Sequence, residues 1–177
     1  GEQEKKLDML KERIISTLDK MEEKIPGNTI PIQSEDLHYQ VARIYGDLGE
    51  KESMKNIIEK LIDRKGGKPL NKVDYANTFY RDFNDADKAL NILGKMRMDF
   101  LKMESIVKTR GFNNKIVKKG EWTRWQKAYP EIVSSLIYIY RKTDRLQEAE
   151  IILSEWVDRN PTDQNAKDIL NEVRSGG

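Results

Sequence analysis

A stretch of the chain recurs 95 residues later without a gap. Ile44-Tyr45-Gly46-Asp47-Leu48-Gly49 through Ile57-Ile58-Glu59-Lys60-Leu61-Ile62-Asp63-Arg64 aligns with Ile139-Tyr140 through Ile152-Leu153-Ser154-Glu155-Trp156-Val157-Asp158-Arg159. Ile-Tyr, the Ile at 57 and 152, and the closing Asp-Arg coincide. Each copy reads as a helix, a tight polar turn, a second helix and a break, the breaks being Gly66-Gly67-Lys68-Pro69 and Asn160-Pro161. Such repetition constrains the fold strongly, because a helical pair that cannot bury its apolar face alone must stack on a neighbour.

The rest of the chain is helical in period as well. Leu7, Leu10, Ile14, Leu18, Met21 and Ile25 recur at spacings of three and four, a narrow apolar seam of heptad type. This predicts an N-terminal helix over 2–25 that packs on the next pair, with a dimer seam as the alternative. Pro26-Gly27-Asn28 ends it. A loop with Pro31 follows, and Ser34 is placed to cap the next helix.

A third, fainter copy lies between the two. Val73, Ala76, Tyr80, Ala89, Leu93 and Met96 fall within 70–103, and Tyr80 precedes Ala89 by the same spacing as Tyr140 precedes Ala149. The Tyr80-to-Tyr140 separation is longer than one period, so an insertion covers 104–129. Residues 163–174, with Ala166, Ile169, Leu170 and Val173, read as a helix that closes the array.

The best copy, 130–163, carries Leu136 and Tyr140 on its first helix, Ala149, Leu153 and Trp156 on its second, and Pro161 at its end. It resembles the tetratricopeptide repeat, whose pattern spans about 34 residues. In 35–68 the matching residues are Val41, Ala42, Tyr45, Gly49, Ile58 and Leu61, with Met54 in place of the small residue. The resemblance implies an all-α, right-handed α-solenoid: an N-terminal helix, repeat 1 at 35–68, repeat 2 at 70–103, the insert at 104–129, repeat 3 at 130–163 and a capping helix at 163–174.

In that family the first helix of each pair lines a concave groove. Carried over by repeat position, the groove residues are Asp36, Tyr39, Arg43 and Asp47, then Asp74, Thr78, Arg81 and Asp82, then Glu131, Ser134, Tyr138 and Arg141. A protein or peptide is the partner this set implies.

Composition bears on function by exclusion. With no Cys there is no disulfide framework and no thiolate nucleophile, and a single His leaves one imidazole. That residue, His38, reads as a packed or surface side chain. Asp82, Asp85 and Asp87 lack the glycine and closing Glu of a calcium loop and read as caps for the helix that starts near Asp85. Gly66-Gly67-Lys68 is followed by Pro69 rather than Ser or Thr, so it terminates a helix rather than cradling phosphate. Neither cofactor nor metal is expected, and no catalytic residue is assigned.

The net charge of +2 conceals an uneven distribution. The insert holds Lys108, Arg110, Lys115, Lys118, Lys119, Arg124 and Lys127 against Glu104 and Glu121, a net of +5. It also holds Trp122 and Trp125. Two readings stand. Trp122, Trp125 and Tyr129 form one helical face that packs on the third repeat, with the lysines on its solvated side. Alternatively Lys115, Lys118, Lys119, Trp122, Arg124 and Trp125 bind an anionic partner: an acidic glycan, nucleic acid or a membrane surface.

Residues 18–61 carry a second resemblance. A helix, Ile25-Pro26-Gly27-Asn28, Pro31, then Tyr45, Gly49 and Leu61 look like the soluble C-terminal tail of bacterial multi-pass membrane proteins similar to protein O-mannosyltransferases. This implies a helical-repeat tail outside the membrane, engaging an acceptor protein or glycan; otherwise the chain is cytoplasmic. Residue 1 is Gly, so a removed or replaced upstream segment is expected, and Ser175-Gly176-Gly177 reads as a flexible tail. The function expected is a non-catalytic interaction module.

Overall fold

The structure is a computed structural model, and it describes residues 2–23, 35–64, 66–112 and 116–176. The turn at Pro26-Gly27-Asn28, Ile25, Pro31, the Ser34 cap and Lys115 lie outside the described residues, as do the side chains of Leu7, Leu18 and Met21. The described residues are all-α: eight helices and no strand. Among them no helix is long and apolar enough to cross a membrane. The chain divides into two compact units, residues 1–67 and 68–177.

The first unit contains α1 (Glu2–Glu23), α2 (Glu35–Asp47) and α3 (Lys51–Asp63). Leu10 of the α1 seam is exposed and Ile14 half-buried, so the expected seam is only partly covered. Lys11 Nζ lies 3.7 Å from the Glu50 carboxylate. Helices α2 and α3 pack as a hairpin. Ala42 and Tyr45 from α2 and Met54, Ile57, Ile58 and Leu61 from α3 are all buried. At the open end of the hairpin, Arg64 Nη2 sits 3.0 Å from Glu35 Oε2, with both side chains only 5% exposed.

The second unit contains α4 (Pro69–Phe83), α5 (Ala86–Arg110), α6 (Lys119–Lys142), α7 (Leu146–Arg159) and α8 (Gln164–Arg174). Helix α4 packs on both α5 and α6, α5 on α6, α6 on α7, and α7 on α8. Pro69 opens α4 at a position whose missing N–H would have had no helical partner anyway. Asp85 caps α5, its Oδ1 accepting from Lys88 N at 3.0 Å, as its spacing predicts. Asp163 caps α8 through Ala166 N in the same way. Leu170 and Val173 of α8 rest on Ala149 and Leu153 of α7.

The three helix–turn–helix pairs share a turn geometry. Gly49, Asn84 and Asp144 occupy the same place in each turn, and all three have left-handed φ, at +82°, +52° and +58°. Gly, Asn and Asp are the residue types that tolerate this conformation at a helix end. In the first and last turns the next N–H, Glu50 and Arg145, donates back to Tyr45 O and Tyr140 O, both at 2.8 Å. Ala89 and Ala149 are fully buried at equivalent positions of α5 and α7.

A second regularity links the pairs within the second unit. Asn77 Nδ2 donates to Ser135 Oγ at 2.9 Å, a contact 58 residues apart. The Tyr80 and Tyr138 rings meet edge to face at 6.0 Å and share that separation. So do the ion pairs Arg145–Asp87 and Arg97–Glu155. Helix α4 therefore lies beside α6, and α5 beside α7, each couple parallel and in one constant register.

Residues 104–129 are not a separate element. They form the last turns of α5, a connection, and the first turns of α6, making helices of 25 and 24 residues against 15 for α4 and 14 for α7. Pro130, which marked the start of the third repeat, sits inside α6 and is exposed. The result is an antiparallel two-helix arm that continues past the end of α7.

Candidate functional site

The exposed face of α6 separates two depressions. One, of about 610 Å³, lies between α4 and α6 and is lined by Asn77, Tyr80, Arg81, Asn84, Ser134 and Tyr138. The other, of about 390 Å³, lies between α6 and α8, with Leu153 and Trp156 of α7 in its lining. Ser134 and Tyr138 line both, so the two depressions adjoin across α6; the surface of α4, α6 and α8 that carries them is called the trough below.

The side chains of the trough are held by their neighbours. Tyr138 is 54% exposed, with the Tyr80 ring against it at 6.0 Å and Lys142 Nζ 5.9 Å from its centroid. Arg81 is held by Asp82 Oδ2 at 3.0 Å. Arg141 Nη2 donates to Glu172 Oε2 at 3.0 Å, tying α6 to α8. Trp156 Nε1 donates to Asp163 Oδ2 at 2.9 Å. That bond and the Ala166 N–H hold the Asp163 carboxyl below its ordinary range. Asp74 is pushed the other way, by partial burial and by Glu131, with Arg81 opposing. Asp74, Arg81 and Glu131 thus share one electrostatic neighbourhood.

Of the groove residues expected from repeat position, Arg81, Ser134 and Tyr138 line the first depression, and Glu131, Ser134, Tyr138 and Arg141 the second. Thr78 requires a correction. It is 0% exposed and donates its hydroxyl to Asp74 O at 2.9 Å, so it presents nothing to a partner. The cause is that α5 and α6 both pack on α4 and close over Thr78, whereas Tyr138, the equivalent residue of α6, stays 54% exposed with only the Tyr80 ring against it in edge contact. Tyr39, Arg43 and Asp47 lie one turn apart on α2 in the first unit, Tyr39 half-buried and the other two exposed. Asn77, Tyr80, Asn84 and Ser135 were missed; the signal available was that Asn77 and Asn84 lie one turn from Arg81, and Tyr80 and Ser135 are the chain neighbours of Arg81 and Ser134.

The insert resolves into an inner and an outer face. Trp122 is buried and stacks on Phe100 at 5.2 Å, and Tyr129 stacks on the other side of Phe100 at 3.9 Å. Trp122 and Tyr129 are two turns apart on α6, so a single ring from α5 fills the space between them. Trp125 is half-buried against the same cluster, and Trp156 meets Tyr129 at 6.1 Å. Trp122 is therefore corrected from a partner-binding residue to an internal one. The aromatic face expected to pack on the third repeat packs first on α5.

Lys118, Lys119 and Arg124 are exposed, with Arg110 and Lys127. The base of the arm is fixed by Arg159, which grips Glu104 with two bonds of 3.0 and 2.9 Å and lies 5.6 Å above the Tyr129 ring. Those bonds hold the Glu104 carboxyl low, while burial raises the Tyr129 hydroxyl.

No protein-family model matches the chain, and neither a curated protein nor a solved structure matches it significantly.

Proposed function

We propose that the chain is a non-catalytic interaction module that seats an extended peptide segment in the trough of α4, α6 and α8. The observation that carries this reading is the convergence of Arg81, Ser134 and Tyr138 on one depression. They come from two different repeats and were selected by repeat position alone. The constant 58-residue register and the shared left-handed turns support a solenoid-like stacking of tetratricopeptide type. Stacking of this kind fixes side chains at regular spacing along a groove. The trough offers hydroxyls, an amide, a guanidinium and a carboxylate beside a tyrosine face, a set that suits peptide backbone and polar side chains.

The test is selection of a displayed library of random linear peptides against the intact chain. Selected peptides are expected to lose at least about tenfold in affinity on Tyr138→Ala or Arg81→Glu. Indifference of every selected peptide to both substitutions would remove the trough as the binding surface. The nucleic-acid reading of the insert is weaker on this geometry, because Trp122 is committed to Phe100 and Trp125 is half-buried. The reading as the tail of a glycosyltransferase-like membrane protein is a matter of the gene; a membrane-spanning segment upstream in frame is its test.

A further inference from the structure

The α5–α6 arm ends in a tip of unusual composition. Beyond the Glu104–Arg159 bridge α5 runs on to Arg110, and Ile106, Val107, Val117 and Trp122 belong to the cluster that joins it to the start of α6. At the far end Val117 turns inward, with 2% of its surface exposed. Phe112 and Ile116 turn outward, 50% and 48% exposed. An exposed aromatic residue thus follows the end of α5, and an exposed β-branched residue precedes the start of α6.

Charge surrounds this apolar pair. Arg110, Lys118 and Lys119 are all exposed, and Arg124 and Lys127 continue the basic surface along α6. Among the described residues, no carboxylate lies within ion-pair distance of these five. Lys108 differs, since it lies 3.4 Å from Glu104 at the base of the arm. These five cations are therefore available, whereas Lys108 and Arg159 are used within the fold.

We propose that the exposed residues at the adjoining ends of α5 and α6, Arg110, Phe112, Ile116, Lys118 and Lys119, dock on an anionic lipid surface. Basic side chains near such a surface gain from its negative potential, and apolar side chains among them enter the boundary of the acyl region. Nucleic acid fits less well, because the indoles it would stack on are turned inward and an isoleucine offers nothing to a base or a phosphate. The proposal is independent of the trough.

The experiment is co-sedimentation of the intact chain with vesicles of phosphatidylcholine, with and without phosphatidylserine. Binding is expected to the phosphatidylserine vesicles alone and to weaken as salt is raised. Joint Lys118→Glu and Lys119→Glu substitution should lower partitioning at least about 30-fold. Joint Phe112→Ser and Ile116→Ser substitution removes no charge and should lower it about tenfold. All four positions are exposed, and circular dichroism confirms that each variant keeps its helix content. The proposal is overturned if phosphatidylserine vesicles do not bind at low salt. It is equally overturned if the serine variant binds as well as the parent, or if an oligonucleotide binds with the same sensitivity to both double variants.

Discussion

Gly46 and Met54 face each other across the α2–α3 hairpin, and a Cβ built on Gly46 would lie 2.6 Å from the Met54 sulfur. The other two pairs solve this contact in the opposite sense, with Ala89 and Ala149 on the second helix and Arg81 and Arg141 on the first. The bulk has changed sides. Met54 is buried, so its sulfur has little room to retreat. Gly46→Ala should therefore forfeit the roughly 1 kcal/mol that alanine normally adds within a helix, and end neutral or destabilised by about 1–2 kcal/mol. In a Met54→Ala background the same change should stabilise. A double-mutant cycle by urea unfolding measures the difference, and strict additivity would show that the two residues do not compete for space.

The Arg64–Glu35 pair makes a sharper demand on the same unit. With each side chain 5% exposed, removing one partner leaves the other charged in a poor solvent. Glu35→Ala should cost about 3–5 kcal/mol, whereas the joint change Glu35→Leu with Arg64→Met should cost clearly less. Thermal unfolding of the three variants checks the order; a double variant worse than the single one contradicts it.

Acid should loosen the base of the arm. Arg159 holds the Glu104 carboxyl below its ordinary value of 4.5. A depressed folded-state value means that the stabilisation is complete above about 4.5 and is lost as pH falls through the lower folded value. Glu104→Gln should cost on the order of 1 kcal/mol at neutral pH and flatten the decline in stability below pH ~4.5. Unfolding free energies measured from pH 7 to pH 3 would show the two curves converging; parallel curves would rule out the pair as the source.

Phe100 bears on the arm more than on the repeats. Phe100→Ala removes the ring between Trp122 and Tyr129 and should cost about 3–5 kcal/mol where the arm is joined. Amide exchange should quicken over 101–110 and 119–129 while α4 keeps its protection. Uniform acceleration across the second unit would mean that the arm is not a separate cooperative element.

Much of the helical architecture was legible because repetition exposes itself in residue spacing. The Tyr-to-Ala interval marked the two later pairs, Tyr45 and Gly49 marked the first, and Asp85 announced the start of α5; the matching left-handed turns at Asn84 and Asp144 emerged only in the fold. Two things were hidden. Thr78 sits at a position that is open in the last pair but closed in the middle one, a difference that depends on neighbours rather than on local pattern. The continuity of α6 was hidden by Pro130, which reads as a helix start and yet lies within a helix. Arg64 and Arg159 show the same limit: aligned in the sequence, they form ion pairs with Glu35 in their own pair and with Glu104 on α5 respectively. An alignment specifies where a side chain begins, and only the fold specifies where it arrives.

The arm has a consequence for how such a chain can change. Its extra residues lengthen two antiparallel helices together, so the path that leaves the middle pair returns to the last pair at the level it departed. Each 58-residue contact spans the excursion, so the arm's length enters the separation in sequence but not the geometry of the contact. Turns added to both helices in step would carry Phe112 and Lys118 farther out without displacing Asn77 from Ser135. The distance between tip and trough is thus an adjustable dimension, set by one stretch of sequence and free of the packing that holds the repeats together.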